Sequence, residues 1–341
     1  MKKWIFYTIT TLLIALISIA MFNWFVDPMW TFNQSNFLNK YQNDFDERQQ
    51  KSNLIYFTPF KYDAIMLGSS KITYINQSHV SHIRTFNAAV NDMRPDEFIP
   101  MINFAKKINK ADFKEIILGL DFERMMPNPK TTKMSDYEKN TISPLYRYKL
   151  LLSADTLRYS FQNINNIITS DYKRRAKVYN NNFVVFSYKK SKEHLESQIK
   201  QYNNPMDIQY NENLQLIFDE LKKENPHTKF TIFITPLPSP LIKTIFSSEK
   251  NVLLYKKWIH QIINTFGSVH TFLYLNNINN DYLNTYTDAG HFYPFIGDIL
   301  IKSLSRSDNN SSDLEHSYGI YIDHNNYEQI INTIPLKQGQ N

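Results

Sequence analysis

The chain has 341 residues, of which 42% are hydrophobic and 21% are charged, so it can bury a core and is not globally disordered. It contains no cysteine, which excludes a disulfide scaffold, thiolate metal ligands and a cysteine nucleophile. Its formal net charge is +6, but the basic residues are spread along the sequence. This distribution indicates a solvated face or contact with anionic lipid headgroups, and we do not expect a nucleic-acid partner.

The N-terminus carries an apolar run long enough to cross a membrane. Residues 4–22 contain no charge, and about 20 helical residues span the hydrocarbon core of a bilayer. Lys2 and Lys3 precede the run and Asp27 follows it, so the positive-inside tendency leaves the N-terminus in the cytoplasm. We therefore predict a single transmembrane anchor over residues 1–28.

A cleaved signal peptide is the alternative interpretation of this region. Ser18-Ile19-Ala20 has the small-x-small pattern of a cleavage site, yet the apolar sequence MFNWFV continues beyond it. That continuation favours a retained anchor. Both interpretations place the globular part outside the cytoplasm.

Apolar strand-like runs alternate with helical periodicity in the rest of the chain. After a polar connector at 29–61, the predicted strands are 62–67, 84–87, 115–121, 229–235 and 269–275. The predicted helices between and after them are 95–109, 211–225, 252–266 and 294–304. This alternation predicts an α/β domain at 62–305 with a doubly wound, five-stranded parallel sheet. No GxGxxG or Walker motif is present, so we expect no nucleotide cofactor.

Two further segments have less defined patterns. About 105 residues separate the third and fourth predicted strands, and we interpret residues 124–228 as a large insertion with helical periodicity at 148–168 and 190–203. The tail, 306–341, begins as a polar linker and regains order in YGIYIDHNNYEQIINTI. Neither segment indicates a chemistry.

The candidate chemistry lies in two short motifs. Gly68-Ser69-Ser70 follows the first predicted strand, and Asp288 precedes His291 by three residues after the last one. A Gly-Ser-Ser turn alone is common, and Asp-x-x-His is also found at helix caps or in weak metal pairs. No His-Glu-x-x-His or second ligand pair accompanies it, so we predict no metal site. Because the carboxyl ends of parallel strands share one edge, the two motifs are expected to meet there as a serine–histidine–aspartate triad.

This combination resembles the SGNH (GDSL-type) hydrolases over roughly residues 60–305. In that family the nucleophile is the third residue of a Gly-Asp-Ser-like turn, which selects Ser70 over Ser69, and the last block is Asp-x-x-His, matched by Asp288 and His291. The resemblance therefore implies Ser70, Asp288 and His291 as the catalytic residues.

The middle blocks of the family are matched less well. The glycine of the second block, which supplies a backbone N–H, is replaced by Ala89, and the resemblance places Asn91 close by as an oxyanion or substrate-binding residue. Asp121 stands where the third block has an asparagine that donates to the oxyanion. An ionised carboxylate cannot donate, so Asp121 is protonated, or has another role, or the amides of Ser70 and Ala89 form the oxyanion hole. Lys71, after the nucleophile, is predicted to lie on the surface.

A membrane-anchored, exported domain whose first block reads Gly-Ser-Ser is similar to cell-envelope acyl-transfer proteins that D-alanylate lipoteichoic acid or O-acetylate alginate and other exopolysaccharides. The resemblance implies an acyl donor and a polysaccharide or glycolipid acceptor, no cofactor, and a location on the outer side of the bacterial cytoplasmic membrane. Such proteins commonly work with a membrane-bound O-acyltransferase as partner. An extracytoplasmic esterase and a non-catalytic envelope assembly or binding protein are the two alternatives.

Overall fold

The computed structural model describes residues 2–34, 36–38, 43, 45–125, 133–169, 176–178, 183–185, 192–201, 207–304, 318–334 and 336. The chain forms two compact units. The first combines Met1–Phe60 with Thr132–Ser187, and the second combines Lys61–Thr131 with Tyr188–Asn341. The first part of the predicted insertion thus belongs with the N-terminal region.

The secondary structure of the described residues is as follows. The strands are β1 (Ala64–Gly68), β2 (Thr85–Asn87), β3 (Glu115–Leu120), β4 (Ala176–Val178), β5 (Phe183–Val185), β6 (Lys229–Ile234), β7 (Ser268–Thr271), β8 (Tyr286–Asp288), β9 (His291–Phe292) and β10 (Ile320–Asp323). The helices are α1 (Lys2–Val26), α2 (Glu47–Phe57), α3 (Phe98–Asn109), α4 (Met134–Ile142), α5 (Tyr146–Leu151), α6 (Ala154–Thr169), α7 (Lys192–Lys200), α8 (Leu214–Glu224), α9 (Ser239–Phe246), α10 (Glu249–Phe266), α11 (Asn277–Asn280), α12 (Tyr282–Thr285), α13 (Pro294–Ser303) and α14 (Tyr327–Thr333).

The second unit contains a six-stranded, mostly parallel sheet in the order β10-β7-β6-β3-β1-β2. The five predicted strands are present and parallel, which confirms the mixed α/β class. The sheet has one strand more than predicted, because β10 lies in the predicted tail and pairs antiparallel with β7. A four-residue strand after a long polar stretch offers too short a pattern to be recognised in the sequence.

The composition of the central strands explains their position in the sheet. Every residue of β1 and β3 is buried, which fits the near-continuous apolar runs of strands covered on both faces. The strand order reverses direction between these two strands, because the chain passes from β1 to β2 on one side and then crosses to β3 on the other. In open α/β sheets such a reversal leaves a crevice at the carboxyl ends of the strands, where ligands bind.

The predicted helices of this unit are confirmed with small shifts at their ends. The segment predicted at 95–109 begins as a 3-10 turn, Pro95–Glu97, and continues as α3, which buries apolar residues at three-to-four spacing. The helix predicted at 252–266 starts one turn earlier, as α10, and ends at Gly267, whose φ of +92° suits glycine.

The first unit is helical apart from the β4–β5 hairpin and includes α1, α2, α4, α5 and α6. Helix α2 lies within the segment predicted as a polar connector, 29–61, and no sequence pattern indicated a helix there. The reason is that most of the side chains that α2 buries are polar, Leu54 and Ile55 excepted, and its sequence therefore lacks an apolar periodicity. The sequence nevertheless specifies where α2 begins, because the Asp46 carboxylate caps the helix by accepting a hydrogen bond from the Gln49 amide.

The buried polar residues of α2 hold the chain where it leaves α1. Gln50 donates to the carbonyl of Pro28, and Asn53 donates to the carbonyl of Met29 at 2.8 Å. Asn53 also accepts from Thr141 of α4 at 3.0 Å. Buried backbone carbonyls need such partners, so these polar side chains replace the apolar contacts of an ordinary helix pair.

Helix α1 has the length and composition of a membrane-spanning helix. It comprises 25 residues, and its most apolar window of 18 residues has a mean hydropathy of 2.3 and is not buried within the protein. By length and composition it can therefore cross a bilayer once.

Candidate active site

The first site segment is the turn that follows β1. Gly68 has a φ of +148°, and a β-carbon there would lie 2.6 Å from the Gly119 carbonyl oxygen. Gly68 and Gly119 are paired across β1 and β3, and both leave space for the side chain of Ile72. The chain can therefore turn at once into the 3-10 turn Ile72–Tyr74, which places Ser70 at the carboxyl edge of the sheet.

The second site segment is the β8–β9 hairpin. Asp288 ends β8 and His291 begins β9, and the two residues are register partners. The Asp288 carboxylate accepts from the Gly290 amide at 3.0 Å, which fixes the turn between them. On its outer side the turn is held by Gln198 of α7, which accepts from the Ala289 amide at 3.1 Å. The carboxylate is thus oriented before any substrate is present.

The structure brings the three predicted catalytic side chains together. Oγ of Ser70 lies 2.8 Å from Nε2 of His291, although 221 positions separate them in the sequence. Nδ1 of His291 lies 2.7 Å from Oδ1 of Asp288. An ionised carboxylate can only accept, so this contact assigns the proton to Nδ1 and leaves Nε2 to accept the Ser70 hydroxyl proton. This is the arrangement that activates a serine as a nucleophile.

The histidine ring is also held by packing. The ring of Tyr74 stacks on that of His291, with centroids 5.1 Å apart and planes 14° apart. Ser70 is buried, and the side chains of His291 and Asp288 keep only 15% and 14% of their exposure. The three side chains are therefore largely shielded from solvent.

Lys71 does not lie on the surface, contrary to the prediction. It is buried, and its ammonium group lies 3.3 Å from Oδ1 of Asp121 and 2.5 Å from Oε1 of Glu123. Burial alone would lower the pKa of Lys71, but the charges of Asp121 and Glu123 outweigh it and the pKa is raised. Lys71 is therefore charged, because a buried lysine can remain so only beside carboxylates.

Asp121 is ionised, which removes one of the three options that the sequence left open. Burial raises the pKa of Asp121. The charge of Lys71 and the hydrogen bonds from Ser69 and Thr235 lower it by more, so the net pKa lies below the usual value. The Thr235 hydroxyl donates to Oδ1 of Asp121 at 2.5 Å. Asp121 thus cannot donate to an oxyanion, and it serves instead as the counter-ion of Lys71.

The two remaining predicted residues follow β2. The Ala89 amide donates to Oδ1 of Asn87 at 3.1 Å, so the N–H predicted for the oxyanion hole already has an acceptor. Asn91 is half-buried and lies next to Val90, whose amide donates to the carbonyl of Gly68. This last bond places the segment beside the end of β1. Among the described residues, none accepts a hydrogen bond from the Ser70 amide.

A small cavity lies next to the turn and the buried charges. Its volume of about 20 Å³ is enough for one water molecule. The cavity is lined by Ser69, Asp121, Arg124 and Trp258 together with apolar side chains. The buried indole N–H of Trp258 has no acceptor within the described part of the chain. The cavity is therefore suited to a small polar molecule.

The chain has no detectable relatives among the proteins compared with it. No protein-family model, curated protein or solved structure matches it. In the described ranges, no group of three or more histidine, aspartate or glutamate side chains is arranged to hold a metal ion.

Several residues that shape the site were not found from the sequence. Thr235 follows β6 in the segment TPLPSP, which predicts only the shape of a rim, and Glu123 follows Asp121 in a 3-10 turn. Gln198 lies on α7, far from either motif in the sequence. The position of TPLPSP after a predicted strand indicates that Thr235 lies at this rim, but nothing in the sequence indicates its hydrogen bond to Asp121.

Proposed function

We propose that the chain is a membrane-anchored, serine-dependent acyltransferase of the SGNH type, with a three-layer α/β domain that acts on the extracytoplasmic side. The observation that carries the proposal is the hydrogen-bonded series Ser70, His291 and Asp288. The acceptor is an envelope or exported polysaccharide or a glycolipid, as in the proteins that the sequence resembles. Lys2 and Lys3, at the start of α1, favour a cytoplasmic N-terminus and hence an external globular part.

The reaction has two acyl-transfer steps. In the first, His291 Nε2 takes the hydroxyl proton of Ser70, whose Oγ forms a bond to the acyl carbon of an ester or thioester donor. The bond from that carbon to the leaving oxygen or sulfur then breaks, and His291 returns its proton to the leaving group. In the second, a sugar hydroxyl loses its proton to His291 and attacks the acyl-Ser70 ester. Ser70 leaves and regains a proton.

Asp288 and the backbone complete this mechanism. Asp288 keeps the proton on Nδ1 and stabilises the imidazolium that forms when His291 is protonated. The Ser70 amide holds the tetrahedral oxyanion, and the Ala89 amide joins it only after releasing the Asn87 side chain. One oxyanion donor contributes about 10²–10³-fold to the rate. Asp121 stands where the family has an asparagine, and its negative charge is balanced by the Lys71 ammonium group. Its carboxylate is therefore not directed at the oxyanion.

Labelling with a fluorophosphonate probe tests whether Ser70 is activated. We expect wild-type protein to be labelled at Ser70, and Ser70→Ala and His291→Ala to lose labelling. Ser69→Ala is the matched control, since it removes the neighbouring hydroxyl and keeps the triad. Absence of labelling in folded wild-type protein would favour the non-catalytic alternative.

The same acyl-serine intermediate also serves an esterase, in which water replaces the sugar hydroxyl. Incubation with an activated acyl ester, with and without a polysaccharide acceptor, separates the two reactions. We expect acylated polysaccharide to accumulate with wild type and not with Ser70→Ala. Release of free acid alone, unchanged by the acceptor, would identify a hydrolase.

A further inference from the structure

Helix α6 of the first unit buries polar residues and exposes large apolar ones. Thr156, Ser160 and Asn163 are buried, whereas Phe161 and Ile168 are 59% and 76% exposed. A helix that packs on the core of a soluble protein has the opposite arrangement. The inversion is not a matter of isolated residues, because the buried polar set and the exposed apolar set each recur at helical spacing.

The same outward apolar pattern is present around the preceding helix, α5. Leu145, Tyr148 and Leu152 recur at three-to-four spacing and are 67%, 57% and 54% exposed. Together with Phe161 and Ile168 they form what we call the outer apolar face. Single exposed apolar residues are common on protein surfaces, but a set of them on two consecutive helices marks an interaction surface.

Direct contacts hold α5 and α6 against the end of α1. The buried side chain of Asn23 donates to the carbonyl of Leu151 at 2.9 Å and accepts from the Ser160 hydroxyl at 2.8 Å. The rings of Phe22 and Phe161 lie 5.0 Å apart. The inward polar residues of α6 thus serve to dock the helix on α1, which leaves its apolar residues to face outward.

The position of these contacts along α1 places the face at membrane depth. About 20 residues cross the hydrocarbon core, so a span that starts at Trp4 ends near Asn23. Phe161 therefore contacts α1 where the hydrocarbon gives way to the headgroups. Lys149 and Arg158 are exposed on the same helices, and long basic side chains can extend from this depth to anionic headgroups.

We propose that α5 and α6 lie in the interface of the phospholipid bilayer next to α1, with the outer apolar face directed into the lipid. The occupant of the face is lipid. This inference does not depend on the serine chemistry, because none of its residues belongs to the candidate active site. It gives the first unit a second membrane contact beyond the single spanning helix.

The absence of cysteine allows a direct test with single-cysteine variants of the full-length protein. The variants Phe161→Cys and Ile168→Cys, labelled with an environment-sensitive fluorophore, are reconstituted in 3:1 phosphatidylethanolamine:phosphatidylglycerol vesicles. Quenching is measured with phosphatidylcholine that carries a nitroxide near the top of its acyl chain. Asp155→Cys and Gln162→Cys are the matched controls, because these exposed positions lie roughly 100–120° around the same helix. Leu152→Cys, directly after α5, is compared with the same two controls.

We expect quenching at 161, 168 and 152 to exceed that at their controls roughly threefold or more, together with a blue shift of the emission. Equal and weak quenching at all positions would overturn the proposal. So would crosslinks in native membranes that join positions 161 and 168 to another protein while lipid quenching is absent. Thermal unfolding of each labelled variant verifies that it is folded, and Leu152→Cys gives an independent result if Phe161→Cys or Ile168→Cys is not.

Discussion

The ammonium group of Lys71 lies 3.3 Å from the Asp121 carboxylate. Lys71 directly follows the proposed nucleophile and Asp121 directly follows β3, so this ion pair connects the ends of two neighbouring strands. Glu123 is a second partner of the same ammonium group, at 2.5 Å. This pairing accounts for a carboxylate at a position where an oxyanion donor was expected from the resemblance. The three residues form a buried support of the turn that carries Ser70, and its charge balance depends on Lys71.

Replacement of Lys71 by methionine should strongly destabilise the second unit. It leaves two carboxylates buried without their cation, and breaking a buried ion pair in this way costs about 3–5 kcal/mol. The measurement is the free energy of unfolding of the full-length protein in detergent, obtained by urea denaturation. Lys250→Met is the control, because its 2.6 Å contact with Asp207 is exposed on both sides and should contribute under about 1 kcal/mol. Equal losses for the two variants would contradict a structural role of the buried charges.

A second buried carboxylate predicts a loss of stability at acidic pH. Burial raises the pKa of Glu115, but hydrogen bonds from Thr231 and His82 and the charge of Lys229 outweigh this, so the pKa is lowered from its usual value of 4.5. Because the folded-state pKa is the lower one, the stabilisation is complete above the unfolded-state value and is lost as the pH falls through the folded-state value.

The test is to compare wild type with Glu115→Gln in a series of melting temperatures between about pH 6 and pH 3. Below pH 4.5, the usual pKa of a glutamate, the melting temperature of wild type should fall more steeply than that of the variant. Asp121, whose pKa is also lowered, is present in both proteins, so its contribution to the pH dependence cancels when the two curves are compared. Parallel curves would show that Glu115 has the same pKa in the folded and unfolded states.

The sequence predicted the parts of the site that depend on strand order and missed those that depend on buried polar contacts. Ser70 and His291 could be placed on one edge because each follows an apolar run that reads as a parallel strand. Lys71 was assigned to the surface because a lysine next to a turn has no pattern that reveals a buried partner. Its partners, Asp121 and Glu123, become neighbours only through the pairing of β1 with β3.

The same limit explains the errors in the fold. Helix α2 was missed because most of its buried residues are polar, and hydrophobic periodicity cannot detect a helix that packs mainly through hydrogen bonds. Strand β10 was missed because it is short and follows a polar stretch. In contrast, α3 and α10 were found because apolar residues recur along their buried faces.

The pair of facing glycines predicts a steric requirement at the turn. A β-carbon at Gly68 would lie 2.6 Å from the carbonyl oxygen of Gly119, and φ of +148° strains any other residue, so Gly68→Ala should be destabilising by about 1–3 kcal/mol. It should also abolish fluorophosphonate labelling, since it displaces the turn that carries Ser70. Gly290→Ala is the control from the same site, because its β-carbon would meet only Asp288 Oδ1 at 3.8 Å. Full labelling of a stable Gly68→Ala protein would refute the requirement.

The hydrogen bond from His291 to Asp288 predicts a specific loss of activity. In Asp288→Asn the amide can present an N–H toward Nδ1, which favours the tautomer with the proton on Nε2 and prevents that nitrogen from accepting the Ser70 proton. We expect acyl transfer to fall by about 10²–10⁴-fold, the contribution of general-base catalysis, with little change in melting temperature. The chain offers a matched control in Asp298, whose carboxylate lies 2.5 Å from Nδ1 of His79 on the exposed surface. Asp298→Asn alters an equivalent contact and should retain full activity, so an equal loss in both variants would point to a general effect of charge rather than to orientation of His291.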